Sequence, residues 1–230
     1  MSTFILKIIA CITMLIDHTF MIFVPFGTTA FWIGREIGRI AFPIYCFLLV
    51  EGFLHTSSRT KYLIRLFVFA LISEFPFDLA VYGIPKSAEL AMQTQNVMFT
   101  LFIGLGLLCI YDWLLRKYSI TQPVTFNALA VMAIIAASGI TIWLASDYSY
   151  VGILFILIFY LFRGKKLWIA AGLLFVILAF SNKFELGAMM ALVPIFLYNG
   201  KEGGKKSLRY AFYAFYPVHL LILGLIGNVM

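Results

Sequence analysis

Long apolar runs alternate with short polar or basic connections along the chain. A helix that crosses a bilayer needs about 20 mainly apolar residues, and strict alternation of apolar and polar positions, which marks membrane β-strands, is absent. The pattern predicts about nine helical segments, at 4–24, 38–55, 61–81, 96–115, 124–145, 149–162, 167–181, 186–199 and 209–229. The sixth and seventh segments are short, which leaves tilted, thinly inserted or partly re-entrant placements open.

Composition places this pattern in a membrane. Of 230 residues, 63% are hydrophobic and only 12% are charged, and the mean hydropathy is +1.01. A soluble domain is about half apolar and a quarter charged, so this chain lacks the polar side chains for a soluble surface. No Pro- or Ser-rich linker divides it. We therefore expect one all-α, polytopic transmembrane bundle comprising residues 1–230.

The basic residues predict the orientation, since Lys and Arg gather in cytoplasmic loops. With a cytoplasmic N-terminus, the outer connections hold Arg35, Arg39, Lys86 and Lys183. The inner connections hold Arg59, Lys61, Arg65, Arg116, Lys117, Arg163, Lys165, Lys166, Lys201, Lys205, Lys206 and Arg209. This asymmetry explains the net charge of +7 without a nucleic-acid partner. The first segment is too long for a typical signal peptide and contains Asp17 and His18, so we expect it to be retained.

Ionisable and amide side chains interrupt several apolar segments. A charge at the bilayer centre costs about 2.5–3.5 kcal/mol on insertion scales, so such groups are expected to face the bundle interior or a wet cavity. Alternating segment directions place one set near the outer side: Asp17, His18, Arg39, Glu74, Asp78, Gln95 and Asn96. A second set falls near the inner side: Glu51, His55 and Arg65. This division predicts a polar outer chamber and a separate basic inner mouth.

Structural roles remain open for several of these residues. The alternatives are a solvated helix end for Asp17, packing for His18 and His55, and an ion pair with Arg65 or Lys61 for Glu51. Glu74 closely precedes Pro76, which is consistent with a helix end. We interpret the three cysteines, Cys11, Cys46 and Cys109, as packing residues. The histidines lie on different segments without metal-ligand spacing, so no metal is predicted.

Lys7 and His18 lie on one face of the first segment. Eleven residues correspond to about three helical turns, and the two positions are separated by about 16 Å along the axis. This arrangement suits an elongated ligand with an anionic head near Lys7 and a reactive end near His18, as in an acyl-coenzyme A.

Four blocks carry a family resemblance: KIIACITMLIDH, GRIAFPIYCFLLVEGFLHTSSRTKYLIRLFVFALISEFPFDL, QNVMFTLFIGL and YAFYPVHLLIL. Together they resemble the TraX family, named for a conjugation protein that acetylates the N-terminus of pilin. That family is in turn similar to the acyltransferase 3 superfamily, in which a basic residue and a His with ten residues between them lie on the first span. Lys7 and His18 match this arrangement, with Lys in place of the usual Arg. FLLVEGF resembles the superfamily's Phe-rich block, with Glu51 where Ser is usual.

The resemblance implies an acetyl-CoA-dependent acyltransferase in the bacterial cytoplasmic (inner) membrane. The acyl group would pass from cytosolic acyl-CoA to an extracytoplasmic hydroxyl or amine, such as a protein N-terminus or a glycan. The implied CoA-binding residues are Lys7 and Arg65, with Arg39 and Glu51 as second choices for lining the path. A membrane transporter and a non-enzymatic accessory protein are the alternative functions.

Acyl transfer requires a base, and a neutral imidazole such as His18 meets this requirement. A covalent acyl-histidine is an equally open route. Asp17 supports the site, although helix neighbours point about 100° apart and Asp17 is therefore not expected to orient His18 directly. The candidate orienting groups are Glu74, Asn96 and His219. The candidate donors to the oxyanion are Gln95, Asn96, Tyr216 and Arg39.

Overall fold

The computed structural model describes residues 1–83, 94–181, 183–204 and 208–229. Across these ranges the chain is helical, and its only β-type pairing is an isolated bridge between Gln95 and Ser146. The predicted all-α fold is thereby confirmed. Lys86, Lys205 and Lys206, which entered the charge distribution above, lie outside the described residues.

Most helices coincide with a predicted segment; the helix at Thr29–Gly38 and the stretch 186–199 differ from the prediction. In chain order they are α1 (Thr3–Phe23), α2 (Thr29–Gly38), α3 (Ala41–His55), α4 (Arg59–Tyr82), α5 (Val97–Tyr118), α6 (Pro123–Trp143), α7 (Ser149–Leu161), α8 (Lys166–Phe180), a 3₁₀ helix (Lys183–Ala191), α9 (Leu192–Phe196) and α10 (Arg209–Val229).

Polar side chains set several helix starts. The Ser2, Thr28 and Ser58 hydroxyls accept hydrogen bonds from backbone N–H groups three residues later. Asn96 does the same for α5, where its side-chain oxygen accepts from the Met98 N–H at 3.0 Å. These caps satisfy donors that have no partner inside a helix, so the boundaries follow from local sequence.

Within the described residues, five helices are long and apolar enough to cross a membrane: Thr3–Phe23, Thr29–His55, Val97–Tyr118, Pro123–Trp143 and Tyr210–Val229. The second of these joins α2 and α3, so it begins nine residues before the predicted segment 38–55. Helix α4 has 24 residues but carries five charged side chains. It also continues through Pro76 to Tyr82 and does not end at Glu74.

The predicted segment 186–199 has a different conformation from the one expected. It consists of the 3₁₀ helix followed by the five-residue α9. At Gly187 a Cβ atom would lie 2.6 Å from the Glu36 carbonyl oxygen, so this segment packs closely against α2. Since a 3₁₀ helix rises about 2.0 Å per residue, its nine residues extend about 18 Å, more than an α-helix of equal length.

The bundle has two ends, which we call the Lys7 end and the His18 end. At the Lys7 end, the Thr3 and Phe4 N–H groups donate to the carbonyls of Lys201 and Glu202 at 2.9 and 3.0 Å. At the His18 end, the Gln95 N–H donates to the Ala145 carbonyl at 3.3 Å. Between the ends lies a core dominated by α3, α5 and α7. Its fully buried side chains include Ile44, Phe53, Leu105, Phe155, Ile156 and Phe159.

Candidate functional site

A histidine pair joins α1 to α10 near the His18 end. His18 Nδ1 lies 2.7 Å from His219 Nε2, and His219 Nδ1 lies 2.6 Å from the Phe215 carbonyl oxygen. The two rings stack with centroids 4.9 Å apart. His219 is buried, and the His18 side chain is 13% exposed. Of the three candidates for orienting His18, the structure places His219 in contact with it.

Asp17 forms an ion pair beside the histidines. Its Oδ2 accepts from Arg35 Nη1 at 2.7 Å and lies 3.9 Å from His18 Nε2, beyond hydrogen-bond distance. The geometry agrees with the expectation that neighbours on one helix diverge. Asp17 Oδ1 is buried and has no hydrogen-bond partner in the described part of the chain. It lies against Gly38, where an added Cβ would overlap it.

Arg39 belongs to a second ion pair. Its guanidinium donates to the Tyr148 hydroxyl at 2.9 Å and contacts Glu185 at 3.1 Å. Arg39 is not among the residues lining the cavity described below, and its expected role beside a ligand stays a prediction. The sequence interpretation missed Tyr148 and Glu185. Glu185 was detectable as a carboxylate between two apolar segments, whereas Tyr148 had no distinguishing signal.

Glu74 and Asn96 bind each other. The Asn96 side-chain amide donates to Glu74 and, at 2.8 Å, to the Ala70 carbonyl. The side-chain oxygen of Asn96 also caps α5, so this fully buried amide connects α4 to α5 through hydrogen bonds. Gln95 joins the 145–147 connection through backbone hydrogen bonds. Neither Gln95 nor Asn96 lines the cavity described below, and their expected role as oxyanion donors stays a prediction.

A cavity of about 480 Å³ opens at the Lys7 end and extends into the bundle. Charged and polar side chains line its mouth: Lys7, Glu51, His55, Arg65 and Glu202. Apolar and aromatic side chains line its depth, among them Met14, Phe42, Tyr45, Leu101, Tyr213 and Tyr216. The size lies within the usual range for small-molecule sites, about 300–1,000 Å³. The structure thus brings the predicted residues Lys7, Arg65, Glu51 and Tyr216 to one cavity.

The cations at the mouth are held against aromatic rings. Lys7 Nζ lies 5.3 Å from the Phe212 ring centroid, and the Arg65 guanidinium lies 5.5 Å from that of Tyr62. Arg65 Nε is buried and has no hydrogen-bond partner among the described residues. A buried donor without a partner is costly, and an anionic ligand in this cavity would satisfy it.

Glu51 is paired with Arg163, which the sequence analysis placed in an inner connection but did not consider as a partner of Glu51. Arg163 Nε and Nη2 donate to its two carboxylate oxygens at 2.7 and 3.2 Å. The expected partners, Arg65 and Lys61, are not the ones observed. The hydrogen bond that Arg163 donates to Glu51 raises the pKa of Arg163, and partial burial of the guanidinium opposes this effect. The Glu51 charge is therefore largely neutralised at the cavity mouth.

Tyr216 lies between the cavity and the histidine pair. It lines the inner end of the cavity, and its ring centroid is 6.4 Å from that of His18 and 5.9 Å from that of His219. His18 itself does not line the cavity, but it lies one helical turn beyond Met14, which does. A ligand filling the cavity would therefore end at Met14 and Tyr216, with the His18 ring next to them.

The sequence model of the TraX protein family matches residues 2–227. The chain is also 34% identical over 242 residues to the probable fimbrial assembly protein FimC, serogroup H1, of Dichelobacter nodosus, with 96% of this chain and 94% of the relative covered. No solved structure matches the chain at a significant level. The match over nearly its whole length shows that this chain belongs to the TraX family.

Proposed function

We propose that the protein is a membrane-embedded acyltransferase that uses acetyl-CoA or another acyl-CoA as donor. In this proposal the chain crosses the bacterial cytoplasmic membrane nine times, with the Lys7 end in the cytoplasm. The position of Arg59, Arg116, Arg163 and Lys201 at that end supports this orientation. The similarity to acyltransferase 3 enzymes is part of the same proposal.

One observation carries the proposal: a cavity that begins among cations ends beside two paired imidazoles. Its mouth offers Lys7 and Arg65 to phosphate oxygens, and no described residue forms a hydrogen bond with Arg65 Nε. The apolar depth suits a pantetheine arm and an acyl group. The axial separation of Lys7 and His18, about 16 Å, suits a ligand with an anionic head and a distant thioester.

The chemistry follows from the position of His18. Its ring takes a proton from the acceptor O–H or N–H as the acceptor atom attacks the thioester carbonyl carbon. The tetrahedral oxyanion collapses, the C–S bond breaks, and the CoA thiolate leaves and takes the proton from the imidazolium. Tyr216, at the inner end of the cavity, is the best-placed of the proposed oxyanion donors. Asp17, 3.9 Å away, stabilises the imidazolium.

The acceptor enters from the His18 end in this proposal. The relative from D. nodosus carries the name of a fimbrial assembly protein, which supports a surface-exported protein as acceptor. A hydroxyl or amine acceptor fits the mechanism equally well, because His18 removes one proton in either case.

Acetyl-CoA binding and slow hydrolysis by the purified, detergent-solubilised protein test the enzyme hypothesis. We expect His18→Ala to retain binding and lose turnover. The matched control is Thr19→Val, which removes a neighbouring hydroxyl that donates to the Leu15 carbonyl at 2.7 Å and should leave turnover unchanged. If the folded parent binds neither acetyl-CoA nor longer acyl donors, the proposal is wrong.

Substitution at the mouth tests the phosphate site. Because a charge-assisted hydrogen bond contributes about 1.5–3 kcal/mol, Arg65→Gln should weaken acetyl-CoA binding about 10- to 100-fold. Lys117→Gln, at an exposed position of the same end, serves as the control. Equal affinity in the two variants would exclude Arg65 from the site. Gradient-dependent flux without acyl transfer would favour the transporter alternative, and absence of both activities would favour an accessory protein.

A further inference from the structure

The hydrogen bonds around the histidine pair define where its protons lie. The Phe215 carbonyl only accepts hydrogen bonds, so His219 Nδ1, 2.6 Å away, must carry a proton. In a neutral imidazole the other nitrogen then has the lone pair. His219 Nε2 is therefore an acceptor. This conclusion requires only that His219 is neutral, as expected for a buried ring that lies 5% exposed.

The hydrogen-bond partner of His18 likewise determines which of its ring nitrogens carries the proton. Its Nδ1 lies 2.7 Å from the acceptor His219 Nε2, so it must be the donor in that bond. The lone pair of neutral His18 consequently lies on Nε2. This nitrogen is directed to the side of Asp17, whose Oδ2 is 3.9 Å away and is itself held by Arg35 at 2.7 Å.

We infer that His219 is a positioning residue that fixes the tautomer and the ring orientation of His18, leaving Nε2 as the nitrogen that accepts the acceptor's proton. The inference rests on the proposed acyltransferase function. It assigns to an imidazole on α10 the role that a carboxylate has in a Ser-His-Asp triad. After proton uptake, His18 carries protons on both nitrogens and still donates to His219, so the hydrogen bond persists through the step.

The ring of His219 is itself fixed by packing. It stacks on Phe215, one turn earlier in α10, with centroids 4.7 Å apart, and its Nδ1–H is bound to the carbonyl of the same residue. Because the Phe215 carbonyl is one of the helix's own acceptors, α10 determines the tautomer of His219, which in turn determines that of His18.

Nitrogen NMR tests this assignment directly. The chain contains three histidines, so protein labelled with ¹⁵N-histidine gives six ring-nitrogen resonances, each assigned by substitution. In the full-length parent we expect protonated Nδ1 and unprotonated Nε2 for both His18 and His219. An unprotonated Nδ1 in His18 would overturn the inference without any measurement of activity.

Two substitutions at position 219 extend the test. His219→Phe keeps a stacking ring but removes the acceptor, so the His18 nitrogen resonances should shift toward a mixture of tautomers. The rate constant kcat for acetyl-CoA hydrolysis should fall roughly tenfold with little change in KM. His219→Gln supplies an amide oxygen near the former Nε2 position and should restore the Nδ1-protonated tautomer of His18 and most of kcat.

The outcomes separate this inference from the proposed function. If His18→Ala abolishes hydrolysis but His219→Phe alters neither the His18 resonances nor kcat, the enzyme proposal stands and the role of His219 is wrong. If the resonances behave as expected in a protein that binds no acyl-CoA, the hydrogen-bond assignment stands and the acyltransferase proposal is wrong. If His219→Phe does not fold, the nitrogen spectra of the parent and of His219→Gln decide whether His18 Nδ1 carries the proton.

Discussion

Replacing Arg35 with Met should leave a buried carboxylate without its counter-charge. Arg35 donates to Asp17 at 2.7 Å, and the two side chains are 22% and 14% exposed. No described residue forms a hydrogen bond with Asp17 Oδ1, so the bond from Arg35 to Oδ2 is the principal compensation for burying this carboxylate. The structure therefore predicts that Arg35→Met destabilises the fold through Asp17.

The magnitude follows from burial. Removing one partner of a buried ion pair costs about 3–5 kcal/mol, and the residual exposure of both side chains places this pair near the lower limit, about 3 kcal/mol. Replacing both partners by apolar groups removes the uncompensated charge and is often close to neutral. The double variant Asp17→Leu/Arg35→Met should therefore be more stable than Arg35→Met alone.

A double-mutant cycle in the free energy of unfolding, measured by SDS titration of the purified protein, checks this reasoning. Lys165→Met, at an exposed position, controls for the loss of one positive charge and should change stability by less than about 0.5 kcal/mol. Additive effects of the two substitutions within about 0.5 kcal/mol would refute the coupling.

The same unfolding assay checks three further predictions. Gly38→Ala should cost about 1–3 kcal/mol, because its Cβ would overlap the Asp17 side chain. Gly106 lies in α5, and apart from its two chain neighbours and the helix's own backbone, no atom of the described residues lies within 4 Å of a Cβ added there. Gly106→Ala should therefore stabilise the fold by about 0.5–1 kcal/mol. A loss of stability in this variant would show that helix propensity does not govern this position. Asp112→Asn should cost about 1–2 kcal/mol, because Asp112 accepts hydrogen bonds from Arg59 at 2.6 Å and from Arg116 at 2.9 Å. The cost stays small because both arginines are partly exposed to solvent. An unchanged midpoint of the unfolding transition would mean that these two ion pairs contribute nothing to stability.

Local sequence features determined much of the architecture. The apolar runs specify α-helices because a backbone in lipid must satisfy its hydrogen bonds within its own segment. Side-chain caps such as Ser58 and Asn96 fix where helices begin. The 3₁₀ segment was not predictable in this way, because its conformation depends on close contact between Gly187 and α2.

The partners of the polar residues were decided by the tertiary structure. The sequence singled out Asp17, His18, Glu51 and His219 as polar groups in apolar surroundings, since burial in a low-dielectric interior requires compensation. Hydropathy does not encode which group compensates which. His18 contacts His219, which lies 201 positions later in the sequence, and Glu51 contacts Arg163, which lies 112 positions later. Helix packing, and not sequence spacing, brings these side chains within hydrogen-bond distance.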